Sequence, residues 1–328
     1  MVKYIIKRIL LAIVILLGVS VIIYSLVRMM PVDFITTQFS DQFAQNNVDI
    51  QAEIERLKVF YGLNDGIIEG YFKWLGKMLQ GDLGNSFKYS DKVSTIIVEN
   101  MGISFGIAFA ALILEFLIAI PLGVKAATKQ YGVVDYTASV LAMIGTALPT
   151  FFFAAICIQL FSVQLNIFPV NGMTSTLPID ASGWTRFWDV IWHLILPVGI
   201  MVFLSVGSLM RYTRTNTLEV LNADYIRTAR AKGLGESKVI YKHAFRNTLI
   251  PLVTLLAGTL PGLFSGAMIT EQMFGIEGIG LKAYEALKAG DIPFIMGYNM
   301  FLAILTVIGT LLADLMYAVV DPRVKLTK

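Results

Sequence analysis

Six stretches of this chain are continuously apolar over roughly the length needed to cross a bilayer, and this feature constrains the fold more than any other. A spanning helix needs about 20 predominantly apolar residues, because the hydrocarbon core is about 30 Å thick and a helix rises about 1.5 Å per residue. The stretches fall at roughly 9–27, 103–124, 137–161, 191–210, 249–270 and 298–320. Pro149, Pro197 and Pro261 interrupt the third, fourth and fifth. Neighbouring helices can satisfy the backbone groups a proline frees, so kinked spans remain spans. A β-barrel is excluded, since its strands would alternate with period two. Composition agrees: of 328 residues 56% are hydrophobic and only 15% charged, with mean hydropathy +0.70. A soluble domain carries about 25% charged residues. A soluble enzyme and a disordered chain are both ruled out, and an all-helical integral membrane fold is expected.

The first stretch follows Lys3, Lys7 and Arg8 but reads as an anchor rather than a signal peptide. Its apolar run exceeds the 7–15 residues of a typical leader, and no small-x-small site follows in 25–32. With the N-terminus in the cytoplasm, the inner segments carry sixteen lysines and arginines against five acids, and the outer segments ten against sixteen. The positive-inside rule therefore predicts N-in, C-in topology. Trp184, Trp188, Trp192, Tyr24 and Tyr317 suit the membrane interfaces. The net charge of +3 gives no reason to expect nucleic-acid binding, and a lone Cys157 cannot form an intramolecular disulfide.

Two connections are too long to be turns. The external one, 29–101, contains Ile50–Leu57, whose apolar spacing predicts an amphipathic helix. A second helix is expected over Tyr71–Leu79, then a turn-rich return at Gly81–Phe87. The segment is read either as a cap on the bundle or as a docking surface for an external partner. The cytoplasmic connection, 211–248, carries Arg211 and Arg214 at the end of a span and then Ala223-Asp224-Tyr225-Ile226-Arg227-Thr228-Ala229-Arg230-Ala231-Lys232-Gly233-Leu234. Good helix formers end at a glycine able to take the left-handed conformation, and a further helical stretch runs from Glu236 to Asn247. Arg227 and Arg230 are near neighbours at i, i+3, beside an apolar strip of Tyr225, Ile226 and Ala229. Such a short helix can seat in a groove of another protein, its arginines pairing carboxylates at the rim. The plain alternative is a basic loop serving only topology and anionic lipid.

Catalytic signals are missing. No Gly-x-x-x-x-Gly-Lys-Ser/Thr sequence occurs, so the chain has no phosphate-cradling loop of its own. His193 and His243 stand far apart with no cysteine cluster, which argues against a metal site. Glu115 and Asp314 lie within spans, where a lipid-facing charge would cost about 2.5–3.5 kcal/mol. Each should face the bundle interior or an aqueous cavity, as a hydrogen-bonded structural group or as the coupling site of an ion-driven secondary carrier. Gly258, Gly262 and Gly266, with Pro261 among them, recur every four residues in the fifth span. They are expected to line one face for close helix packing, a face that can also border a two-fold interface around a translocation path.

Taken as a set, these residues resemble a known family. Ala223–Leu234, continued through His243-Ala-Phe-Arg246-Asn247-Thr-Leu-Ile-Pro251, is similar to the cytoplasmic "EAA" loop of ABC importer permeases, closest to the oligopeptide, dipeptide and nickel subfamily. Also similar are Lys7-Arg8, Val27-Arg28-Met-Met-Pro31, Gly81–Phe87, Thr270-Glu271 through Gly278-Ile-Gly280, and Asp314 through Tyr317 to Asp321-Pro322-Arg323. Arg227 stands where glutamate is common and the later proline is displaced to Pro251, a departure that points to the peptide subfamily. The resemblance implies a six-helix type I importer domain. Residues 1–28 would be the tail and first helix, 29–101 the external segment, 102–322 the permease core, and 323–328 a cytoplasmic tail. It also implies that the chain is the first of two non-identical permeases in the cell membrane. Its partners would be two ATPase subunits holding ATP and magnesium, an external solute-binding protein and the peptide cargo, with nickel as the alternative. The 223–234 helix would be the coupling helix, and no cofactor or catalytic site would belong to this chain.

Overall fold

The computed structural model describes residues 2–29 and 65–320. Among these the regular structure is helical, apart from an isolated antiparallel bridge between Asn85 and Lys92. In chain order the helices are α1 (Val2–Arg28), α2 (Ile67–Leu79), α3 (Val93–Thr128), α4 (Val133–Ala147) and α5 (Thr150–Cys157), which runs on as a π-helical stretch, Ile158–Gln164. Then come α6 (Gly183–Leu221), α7 (Asp224–Ala231), α8 (Phe245–Gly258), α9 (Leu260–Phe264), α10 (Met268–Phe274), α11 (Ile279–Ala289) and α12 (Ile292–Val320). The helix expected over Ile50–Leu57 and the tail 323–328 lie outside the described residues.

Among the described residues, four helices are long and apolar enough to cross a membrane: Ile6–Leu26 within α1, α3, α6, and Ile292–Asp314 within α12. A fifth span results if α4 and α5 count together. Two expectations are corrected here. The third stretch is not a kinked rod but a corner of 106° between Val133–Ala147 and Thr150–Gln164. Leu148 precedes a proline, which bars it from the helical region, and it is extended with ψ 128°. The fifth stretch is not one helix. α8 ends at Gly258, Pro261 sits in the first turn of the five-residue α9, where its missing N–H is harmless, and the chain then turns at Gly266, φ +73°. Pro197, by contrast, leaves α6 continuous. Both α3 and α6 outrun their apolar stretches, since 36 and 39 residues reach about 54 and 58 Å at 1.5 Å per residue.

α6 is the central post. Gly123 of α3 faces Met210 and Thr213, Gly145 of α4 faces the Phe203 carbonyl, and Gly207 faces Ala142; a Cβ there would lie 2.7–2.8 Å from the opposing helix. Close backbone approach of this kind is how small residues bring membrane helices together. The glycines named from sequence behave differently. Gly258 and Gly262 are exposed and a Cβ on either would meet nothing within 4 Å. Only Gly266 is in close contact, against the Gly280 backbone. Within this chain, then, Gly258 and Gly262 bring no neighbouring helix close.

The chain 81–92 returns to the bundle through a buried acid. Asp291, fully buried, accepts hydrogen bonds from Ser86 Oγ at 2.5 Å, Lys88 N at 3.1 Å, Phe87 N at 3.2 Å and Phe294 N at 3.2 Å. It therefore caps the start of α12 and ties the segment 81–92 to it. At the C-terminal end of α1, α2 packs on Tyr24, whose neighbours are Tyr71 and Trp74.

Candidate functional site

The helix singled out in the sequence is α7, a two-turn stub joined to α6 by two residues, Asn222 and Ala223. Ala223 is extended at its N-cap, and Asp224 in the first turn complements the helix dipole. The far end closes as the glycine predicts. Gly233 takes φ +74°, its N–H donates to the Arg230 carbonyl at 2.9 Å, and the Leu234 N–H donates back to Ala229 at 3.4 Å. That pair of bonds is a Schellman closure. Nothing lies within 4 Å of a Cβ at Gly233, so the requirement there is conformational, not steric.

The apolar strip is split rather than offered whole to a partner. Ile226 and Ala229 are buried against Val239 and Ala244 of the next stretch, with Val220, Leu221 and Leu234 around them. Tyr225 is 47% exposed. Helix α7 spends its apolar residues on its own chain because eight residues cannot hold a helix in water without tertiary packing. The arginines also divide. Arg230 binds Glu236 at 2.6 and 3.2 Å, bridging the Gly233–Gly235 turn, and this pairing holds the Glu236 carboxyl below the usual range. Arg227 keeps only a 3.7 Å contact with Asp224 and stays 74% exposed. The outward face is thus Asp224, Tyr225, Arg227 and Thr228.

Behind the stub lies a clamp that sequence reasoning missed. Arg214, near the end of α6, binds buried Asp135 of α4 through Nε at 2.7 Å and Nη2 at 2.8 Å, while Tyr131 N donates to the same carboxylate at 3.0 Å. The bidentate fork fixes the two helix ends in register. The only hint in the sequence was the basic run Arg211–Arg214; its acid lies 79 positions earlier.

The intramembrane acids are not brought together. Glu115 of α3 lies beside Ser205 of α6. Asp314 of α12 pairs with Arg8 of α1 at 2.9 Å, so it has the basic partner that the spans themselves did not offer. His193 is buried, its Nδ1 2.7 Å from the Asp189 carbonyl. A third buried acid, Glu271 of α10, is 1% exposed. It accepts from Ser104 Oγ at 2.7 Å, Ala267 N at 2.9 Å and Leu281 N at 2.9 Å, joining α3, α10 and the start of α11. The Thr270–Gly280 motif is explained by this, since Gly266, Gly278 and Gly280 crowd the carboxylate so closely that a Cβ would strike it.

The comparisons with known proteins agree over the whole chain. Residues 119–326 match the family described as binding-protein-dependent transport system inner membrane component, and residues 1–108 match the N-terminal family of the same membrane components. The oligopeptide transport system permease protein AppB of Bacillus subtilis is 38% identical over 326 residues, covering 99% of this chain and 100% of the relative. A putative peptide permease protein of Brucella suis is 35% identical over 328 residues, all of both chains. The dipeptide transport system permease protein DppB of Bacillus subtilis is 32% identical over 329 residues, covering 100% of this chain and 99% of the relative. With its long apolar helices and that match from end to end, the chain belongs to the inner membrane components of binding-protein-dependent transport systems.

Proposed function

We propose that this chain is a permease subunit of an ATP-driven peptide importer, supplying half of a translocation pathway and carrying α7 as the contact through which ATPase subunits move it. The cargo reading, oligopeptide or dipeptide, is supported by the names of the relatives. The mechanical reading is supported by one observation above all: α7 is packed rigidly onto its own chain by Ile226 and Ala229 while presenting Tyr225 and Arg227 outward. A stub fixed in this way passes a displacement on to α6, and the Arg214–Asp135 clamp carries it to α4. In this arrangement ATP and magnesium belong to the ATPase subunits, a solute-binding protein delivers peptide on the outer side, and a second permease completes the path. The segment with exposed Gly258 and Gly262 and half-buried Pro261 is the surface we assign to that second permease. The driving force is the difference in ATP affinity between two states of the ATPases, since only a difference shifts a population. Separate engagement of Glu115 and Asp314 offers nothing to an ion-coupled carrier.

The deciding experiment co-expresses the permeases, ATPases and binding protein with Tyr225→Ala/Arg227→Glu, which changes only the outward face. Membrane insertion and yield stay at wild-type level, while ATPase subunits fail to co-purify and peptide uptake falls at least tenfold. Wild-type recovery of ATPase subunits with this variant rejects the coupling assignment. Ion-driven uptake by the chain alone in liposomes rejects the importer reading.

A further inference from the structure

Several cations on the polar parts of this molecule have an acid: Arg230 has Glu236, Lys88 has Glu285, Lys73 has Glu69 and Lys282 has Glu277. Lys238, Lys242 and Arg246 do not. All three are exposed, and among the described residues no carboxylate pairs with any of them. They recur every four residues along a continuous helical run, Glu236–Lys238, then π-helical Val239–Ala244, then α8. The opposite side of the run is buried at Val239, Ala244, Thr248 and Leu252, a spacing of five, four and four. The step of five is what a π-helical turn demands, and it keeps the buried residues and the basic residues on separate faces. Tyr241, 66% exposed, stands on the open side among the cations. Three residues beyond Arg246 begins the apolar stretch Leu249–Leu256 of the same helix.

We infer that Lys238, Tyr241, Lys242 and Arg246 form a docking stripe for the phosphate-bearing headgroups of anionic phospholipids, where α8 leaves the bilayer. Three features select lipid as the occupant. The charge is complementary and uncompensated, and basic side chains beside a membrane gain from anionic headgroups. The stripe is continuous with the apolar helix that follows, so its long side chains can lay their stems on hydrocarbon and lift their charges to the phosphate level. An exposed tyrosine at such a boundary is the residue type found at membrane interfaces. The stripe is distinct from the outward face of α7, and its lipid chemistry does not require ATPase docking. The inference rests on the proposed function only for the side of the membrane the stripe faces.

The test uses the assembled transporter in nanodiscs of phosphatidylcholine mixed with phosphatidylglycerol. Phospholipid retained after detergent extraction is measured by native mass spectrometry. Wild type retains phosphatidylglycerol over phosphatidylcholine, and retention weakens as salt is raised. Lys238→Gln/Lys242→Gln/Arg246→Gln lowers that preference at least about tenfold, with yield and ATPase co-purification unchanged. The charge-keeping Lys238→Arg/Lys242→Arg/Arg246→Lys preserves it, as does Arg227→Gln on α7, which separates the stripe from loop charge in general. Unchanged lipid preference in the triple glutamine variant overturns the inference. Loss of ATPase subunits with lipid preference intact overturns it too, assigning the stripe to the ATPase instead. Failure of the importer reading shows up separately, as an absence of ATPase subunits from wild type with lipid preference still measurable.

Discussion

Glu271 shows what a single side chain can require of its surroundings. A carboxylate at 1% exposure is tolerated only because Ser104 Oγ and the Ala267 and Leu281 amides all donate to it, and because Leu281 places it at the positive end of α11. Glu271→Gln turns one acceptor into a donor facing a backbone N–H. The cost is about 1–3 kcal/mol, read as a lowered thermal midpoint of the detergent-solubilised chain. Gly278→Ala, whose methyl would strike Ser104 and Glu271, should be at least as damaging. Gly106→Ala in the open middle of α3 should be neutral or stabilising, by up to about 1 kcal/mol. Equal effects at the two glycines would show that crowding around the acid is not the cause. The Lys88–Glu285 pair at 2.6 Å adds a pH signature. Lys88 holds the Glu285 carboxyl below its usual range. The pair therefore stabilises fully above the ordinary glutamate value, about 4.3, and that contribution is lost as pH falls through the lower folded value. Partial exposure keeps it to about 1 kcal/mol or less. Thermal midpoints of wild type and Glu285→Gln should differ at neutral pH and converge once the pH has fallen below the lowered folded value; a constant gap would contradict the pairing.

At the scale of elements, the decisive contacts are those that fix α6. Three glycines let α3 and α4 lie against it, and the Arg214–Asp135 fork closes the end from which α7 hangs. Arg214→Met strands a carboxylate that is 7% exposed, a loss of about 3–5 kcal/mol. Asp135→Leu combined with Arg214→Met should recover most of it, because no buried charge is then left unpaired. A double variant as unstable as the single one would remove the clamp from the account. Helix α7 itself depends on the left-handed Gly233. The closure it makes is the reason a two-turn helix has a defined end and a defined outward face.

Over the whole molecule, two ends of the bundle are organised by buried acids in different ways. Asp291 and Glu271 gather backbone amides where the segment 81–92, α10, α11 and the start of α12 meet. Asp135 gathers a guanidinium where α4 and α6 meet. Amide-held acids are fixed by local backbone, whereas a side-chain fork joins two long helices that could otherwise slide. The post of α6 therefore reaches from the Trp184–Trp192 end to the α7 stub. The broken path α8–α9–α10 leaves Gly258 and Gly262 exposed and suits a surface completed by a second subunit.

The membrane class, the absence of a phosphate loop, the α7 stub with its glycine stop and the turn-rich 81–87 return were all legible in the sequence. Each depends on hydropathy or backbone preference within a dozen or so neighbouring residues. What the tertiary structure alone decided involves partners far apart in the chain: Asp135 with Arg214, Ser86 with Asp291, Ser104 with Glu271, Arg8 with Asp314. It also decided that Pro149 makes a corner while Pro197 does not, and that Gly123, Gly145 and Gly207 rather than Gly258 and Gly262 are the packing glycines. The physical reason is common to all of these. A proline's bend and a glycine's contact depend on what the neighbouring helix supplies, and a buried charge takes whichever donor the fold brings within 3 Å, which local sequence does not encode.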